Sequence, residues 1–542
     1  MTWTQIYNPM NNLALSALLA AIPIIVIFYL LAFRRTPGQI AGAIAMLSAV
    51  LVAIFAYQMP VDLAIIATAM GVLYGIFPIF WIVVTAIFIY NLTVATGQFD
   101  IVKDSIASIT DDRRLQALLI AFGFGAFLEG AAGFGTPVAI SAGMLVGLGF
   151  NPLYAAGLCL IANTAPVAFG GIGIPIIVAG QVTGIDTMKI SAMVGRQLPF
   201  ISFIIPIWLI TLMSGWKAMK EVLPACLITG GSFAILQWFS SNYIGPELPD
   251  ILSSLAAMLS LTLFLQTWKP KHIWRFPNEP EPTINVDKSR LTTGKIIKAW
   301  SPFIILTVMV ILWGIKPVAN MLDAVTIKWL VPGLDKLIIQ VAPIVKVPTE
   351  MAALYKVNWM SAAGTSLFIA SLITAVILKV SPGDFIAIFA RTFRQLIKPL
   401  ITIPCVLGLA YVMNYSGMSS TLGLFLAGTG SYFPFFSALL GWTGVFLTGS
   451  DTSANALFAN LQAVTAQQVG VNPILTVAAN SSGGVCGKMI SPQSIAVATA
   501  ATGLVGKEGD LFNFAVKHSI ALVIIVGIMT YIQAYYLTWM IP

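Results

Sequence analysis

Two carboxylates stand alone in long uncharged stretches of this chain. Between Leu115 and Ile185 the only charged residue is Glu129, and between Pro399 and Gly487 the only one is Asp451. Both stretches are apolar enough for membrane depth, where a carboxylate is costly and usually faces a cavity as a proton or ion ligand. Lys488 is the sole cation near the second acid. It could pair with a substrate carboxylate or with one of the acids, or it could snorkel to the inner surface beside Lys507.

Glycine, proline, hydroxyl and amide residues gather around these charges. They form Gly130-Ala-Ala-Gly-Phe-Gly-Thr-Pro137, Asn163-Thr-Ala-Pro166 with Gly170-Gly171-Ile-Gly173, Gly449-Ser-Asp-Thr-Ser453, and Asn480-Ser-Ser-Gly-Gly484. Backbone without hydrogen bonds survives at membrane depth only where it is buried or lines a wet cavity. Helices restarting after such breaks present free N–H groups and positive dipole ends, which favour an anion. Unwound carbonyls and Asn, Ser or Thr oxygens could hold a small cation or the polar groups of a substrate. Glycines also permit close helix packing, as Gly143-x3-Gly147 would. One break alone reads that way, whereas four placed symmetrically point to a site.

Other chemistry is set aside on spacing. Gly483-Gly-Val-Cys-Gly487-Lys488 resembles a nucleotide loop, but its first glycine is misplaced and Met489 follows the lysine where Ser or Thr is needed. Gly123-Phe-Gly125 and Gly171-Ile-Gly173 lack the third glycine of a dinucleotide fingerprint. The two histidines, His272 and His518, are too few for haem or a metal cluster. No cofactor is expected. Cys159, Cys226, Cys405 and Cys486 sit singly in apolar or Gly-rich surroundings and read as buried fillers.

The elements that must position these residues are membrane helices. Of 542 residues, 58% are hydrophobic and 9% charged, against about 25% charged in a soluble domain, which excludes a soluble fold. Simple apolar segments fall at Leu13 to Phe33, Gly38 to Tyr57, Leu63 to Ala95, Leu198 to Met213, Val222 to Phe239, Ile251 to Thr267, Trp300 to Trp313, Met360 to Leu378, Pro399 to Met413 and Phe512 to Met540. Several exceed the roughly 20 residues a bilayer needs, so tilt or kinking is expected, as at Pro78. The chain reads as an all-α polytopic membrane protein with about 12–14 transmembrane helices.

Charge sets the orientation. Arg34 and Arg35 follow the first apolar stretch and no basic residue precedes it, which reads as a retained first helix with its N-terminus outside, not a cleaved signal. Each simple segment then crosses once, placing 20 of the 28 Lys and Arg residues inside and 7 outside, with Lys488 in the second unusual region. This is the positive-inside pattern. The net charge of +8 therefore orients a bilayer protein and does not point to nucleic acid. Arg196 reads as an interface anchor and His518 as a headgroup-level residue. The halves are 1–267 and 299–542, joined by a basic, proline-rich cytoplasmic linker, 268–298. Residues 315–358 read as external surface helices.

The two unusual regions, 115–184 and 433–503, resemble one another. Phe127-Leu-Glu-Gly130 matches Phe446-Leu-Thr-Gly449, Asn151-Pro152 matches Asn472-Pro473, and Ala162-Asn163 matches Ala479-Asn480. Each of these later asparagines lies eleven residues before a proline, Pro175 or Pro492, and both regions end in Thr-Gly. One copy starts from the inside and the other from the outside, so the pattern is an inverted repeat.

The stretches Leu128-Glu-Gly-Ala-Ala-Gly-Phe-Gly-Thr-Pro-Val138, Ala162-Asn-Thr-Ala-Pro-Val-Ala-Phe-Gly-Gly171, Thr448-Gly-Ser-Asp-Thr-Ser-Ala-Asn455 and Ser491-Pro-Gln-Ser494 resemble the L-lactate permease family of bacterial and archaeal transporters. The likeness covers almost the whole chain. It implies import of L-lactate, D-lactate and glycolate with a proton, and re-entrant hairpins at 115–150 and 433–467. On this reading the substrate contacts are Asn163, Thr164, Asn480, Ser481, Ser482, Lys488 and Gln493, and the proton-coupling residues are Glu129 and Asp451, in the plasma membrane. Sodium coupling is the alternative, since Asn and Ser oxygens suit that ion, and a passive anion channel is a further one. An intramembrane enzyme would need a nucleophile with a base, or a metal set, and no such cluster stands in the sequence.

Overall fold

A computed structural model describes residues 2–34, 36–133, 136–277 and 291–542. Arg35, Phe134 and Gly135 in the first break, and linker residues 278–290 with Pro280 and Pro282, lie outside the described residues. Among the described residues ten helices are long and apolar enough to cross a bilayer, or up to twelve when two bent pairs each count as one span.

The helices sort their faces by side-chain size. In Gly38–Phe55 the buried stripe is Ala41, Ala45, Ala49 and Ala53, while Ile44, Leu47 and Leu51 point outward. Hydrocarbon outside removes the usual reward for burying large residues, so close approach through small ones holds the bundle together. Ile397–Ser416 exploits this from the other half of the chain, packing on Gly38–Phe55 at Gly42 and on Val61–Tyr74 at Gly71. The expected kink at Pro78 is present: Phe77 leaves the helical region at φ −143°, ψ 127°, as the residue before proline tends to do.

Residues 315–358 are not the surface helices expected. One short helix, Lys316–Asp323, is followed by β2 (Ile327–Leu330), β3 (Ile338–Gln340), β4 (Thr349–Glu350) and β5 (Leu354–Val357). β2 pairs antiparallel with β5 and β3 with β4, and β1 (Trp3–Thr4) joins β3 in parallel. The reason lies in the residues. Ile327-Lys-Trp-Leu330 and Leu354-Tyr-Lys-Val357 carry the β-branched and aromatic residues that favour strands. Pro332, Gly333, Pro343 and Pro348 bar a continuous helix. The β1–β3 pairing also places the chain start at the same end of the molecule as this segment.

The two similar regions share an order of elements. Gly125–Ala131, a break, Thr136–Gly147, Pro152–Ala162, a second break and Gly170–Thr183 correspond to Phe433–Thr448, a break at Gly449, Asp451–Val469, Pro473–Lys488, a second break and Pro492–Thr502. Asn151 and Asn472 cap equivalent helices, each accepting a hydrogen bond at 2.9 Å from the N–H two residues on and each followed by proline at the first helical position. Pro152–Ala162 and Val167–Thr183 meet at 65°. Gly171, Ile172 and Gly173 sit at φ 54°, 60° and 72°, directly before Ile174 and Pro175.

The expected break at Asn480–Gly484 is absent. Pro473–Lys488 runs through it as one helix, and the chain turns only at Met489 to Ser491, just before Pro492. Gly483 and Gly487 instead let this helix close on backbone carbonyls of Ala438 and Trp442, while Gly441 faces the carbonyl of Asn480. Here the packing role of glycine prevails. A β-carbon on Gly441 would overlap that carbonyl, so Gly441→Ala should destabilise the protein by about 1–3 kcal/mol. Thermal unfolding in detergent measures this, and an unchanged midpoint would contradict the packing account.

Candidate functional site

Glu129 lies in the last turn of Gly125–Ala131 and is 3% exposed. Its Oε1 accepts from Lys488 Nζ at 2.9 Å, and its Oε2 accepts from Asn163 Nδ2 at 3.0 Å. Lys488 does not snorkel to a surface: it is buried at the C-terminus of Pro473–Lys488, where the helix dipole favours a cation. The pair joins residues 359 positions apart, one from each half of the chain. Gly170 leaves room for it, since a β-carbon there would come within 2.6 Å of Glu129 Oε1.

Asp451 opens the helix Asp451–Val469, whose cap Ser450 accepts from the Ser453 N–H at 3.2 Å. Its Oδ2 accepts a short hydrogen bond from the Ser481 hydroxyl, with the Asn455 amide 3.4 Å away. Its Oδ1 is buried and has no hydrogen-bond partner among the described residues. Behind it, Asn480 donates to Asn455 Oδ1 at 2.9 Å and accepts from Gln462 at 3.1 Å. Asn455 in turn donates to the Pro175 carbonyl at 3.1 Å, binding this network to the other half.

A cavity of about 70 Å³ lies between the acids, several times the roughly 10–15 Å³ a single water requires. Glu129, Asp451, Thr452, Lys488, Gln493 and Ser494 supply its polar wall, and Val167, Ile174 and Val497 its apolar one. Two helices, Asp451–Val469 and Pro492–Thr502, begin at its edge, so their first-turn N–H groups and positive dipole ends face it. The arrangement suits a small anion with a short apolar group. A larger cavity of about 790 Å³ shares Gly449, Ser450 and Gln493 with it and reaches Thr36, Lys398 and Glu508.

The structure thus brings Glu129, Asp451, Lys488 and Gln493 to one cavity, with Asn163 bonded to one acid and Ser481 to the other. Asn480 stands one layer back. Thr164 and Ser482 are buried, their hydroxyls without partners among the described residues. Arg196 ties Asn242 Oδ1 at 2.8 Å and the Met540 carbonyl at 2.7 Å, and buried His518 accepts from Trp208 at 3.0 Å. All four cysteines are buried.

One acid escaped the sequence reading. Asp250, the second residue of Pro249–Thr267, is 1% exposed, and both its carboxylate oxygens lack partners among the described residues. Its Cβ is 2.7 Å from where a side chain on Gly130 would begin, and it interacts electrostatically with both Glu129 and Lys488. At the edge of an apolar run beside Pro246-Glu-Leu-Pro249 it looks like a loop residue. The available signal was Pro249, which begins helices and so places Asp250 inside one.

Residues 16–537 match the family described as L-lactate permease. Glycolate permease GlcA of Escherichia coli (strain K12) is 55% identical over 561 residues, covering 100% of both chains. An L-lactate permease of Salmonella typhimurium is 54% identical over 548 residues, again covering 100% of both. Among solved structures, the YdaH transporter of Alcanivorax borkumensis aligns at 12% identity with a TM-score of 0.44, covering 87% of this chain and 89% of that one.

Proposed function

The chain belongs to the L-lactate permease family, a multi-pass membrane permease, and on that premise we propose that it imports L-lactate, D-lactate and glycolate across the plasma membrane by proton symport. One observation carries the coupling: among the described residues the cavity is lined by a single cation, Lys488, and it is already paired with Glu129. A substrate carboxylate that reaches Lys488 competes with Glu129 for its one positive charge. Two carboxylates about 4 Å apart repel by about 4 kcal/mol at an effective dielectric constant of about 20, which favours protonation of the displaced acid roughly a thousandfold. Asp451, with no cation of its own, is held by Ser481 in the same protonation state before and after the anion enters, so one proton accompanies each lactate.

In this reading the substrate carboxylate meets Lys488 and the helix N-termini at Thr452 and Gln493, and its hydroxyl meets Gln493 or Ser494. The methyl group packs on Val167, Ile174 and Val497. Asn163, Asn480 and Ser481 act through the acids they hold. The shared element order supports an inverted repeat with re-entrant hairpins, and the excess of basic residues near Arg34 and Lys398 supports a cytoplasmic assignment for the larger cavity, which then serves as the inner vestibule. Rocking of the repeats opens the site to one side at a time.

The experiment is uptake of labelled lactate by the purified protein in proteoliposomes. An outside-acid pH gradient should drive accumulation that a protonophore dissipates, with D-lactate and glycolate competing. Accumulation driven by a sodium gradient at equal pH would replace the proton by sodium. Absence of counterflow overshoot in preloaded vesicles would indicate a channel.

A further inference from the structure

We infer that Glu247 and Asp250 form the proton path joining Glu129 to the face of the protein that carries residues 315–358. The inference rests on the proton-symport reading and assigns a route to its proton. Residues 244–248 connect Leu223–Tyr243 to Pro249–Thr267. At one end, the Ile244 carbonyl lies 3.6 Å from the β-position of Gly314, the last helical residue before the 315–358 segment. In the middle, the Pro246 backbone closes on Gly173 in the broken segment, and at the other end Asp250 rests on Gly130, next to Glu129. The loop therefore runs from that face to the cavity wall.

The acids along it suit proton transfer. Glu247 is half-buried, and burial pushes its carboxyl up to about 7, so it exchanges protons near neutral pH. Asp250 follows three residues later. The helix Pro249–Thr267 packs on Leu223–Tyr243, on Gly125–Ala131 and on the Ala117–Phe124 stretch. Of these neighbours only Gly125–Ala131 bears a charge, Glu129, whose partner Lys488 reaches in from Pro473–Lys488. The one base is committed to Glu129, and nothing among the described residues stabilises an ionised Asp250 through a hydrogen bond. Its acid form fits the surroundings and can donate. When substrate takes Lys488, Asp250 passes its proton to the displaced Glu129 carboxylate and is reprotonated by Glu247, which recovers one from solution. Each O–H bond broken is matched by one formed, and Lys488 stays an ammonium throughout.

The test uses full-length Glu247→Gln and Asp250→Asn proteins in proteoliposomes holding a trapped pH dye. Net lactate uptake and lactate-linked proton entry should fall about tenfold or more in each variant. Counterflow at equal pH, which needs no net proton transfer, should stay within about twofold of the parent protein. Glu247 lies in the loop and outside the cavity, so its variant carries the test even when Asp250→Asn does not fold. Parent-level net uptake by Glu247→Gln overturns the path, and so does an equal loss of counterflow and net uptake. A parent protein that admits no protons with lactate removes the symport reading, and the path with it, before any variant is compared.

Discussion

In the Lys488→Met protein, lactate uptake and counterflow both fall roughly 30-fold or more, the equivalent of losing one buried, hydrogen-bonded charge partner at about 2–5 kcal/mol. Lys488 is the only cation lining the cavity among the described residues, so in the proposed binding mode the substrate carboxylate loses its receptor. Glu129 simultaneously loses its counter-ion while remaining 3% exposed, and a buried charge left unpaired destabilises a protein by several kcal/mol. The two effects separate in the Glu129→Gln/Lys488→Met double variant. Neutralising both partners should recover the yield and melting temperature of the folded protein without recovering transport. Uptake within a fewfold of the parent protein in Lys488→Met would remove the lysine from the site.

Glu129→Gln alone has a different signature. In the proposed cycle substrate and Glu129 compete for one ammonium group and each lactate bound takes up one proton, so apparent affinity in the parent protein weakens as pH rises, by up to about tenfold per pH unit. Glutamine cannot ionise. Binding by Glu129→Gln should be flat with pH, counterflow should persist, and accumulation against a lactate gradient driven by pH should be lost. Titration of binding by calorimetry at several pH values reads the slope directly, and a slope of one in the variant would move the coupling to another acid.

How far these residues were legible depended on what each signal encoded. Glu129, Asp451 and Lys488 stood out because charge is rare in apolar sequence and each has a large desolvation cost, so isolation by itself pointed to a site. Their meeting across 359 positions was not legible, since no local pattern specifies which helix ends converge. Glycine carried an ambiguous signal. At Gly171 and Gly173 it permits positive φ and at Gly483 and Gly487 it permits close packing, and the residue type is the same in both cases. This is why a continuous helix through Asn480–Gly484 read as broken. Asp250 was hidden by its position at a segment edge, and the strands of 315–358 by their brevity, since two to four residues per strand are too few for a period to show.

The Glu129–Lys488 pair has one more consequence. In the proposed symport cycle the cavity holds a lysine cation and a glutamate anion before substrate binds, and the same cation, a lactate anion and a neutral acid after the exchange. The moving part of the carrier would then bear equal charge on its outward and return movements. An electrical potential across the membrane, worth about 2.3 kcal/mol per charge for each 100 mV, finds no net charge difference to act on, and the acidity difference between the two compartments alone sets how far lactate can be concentrated.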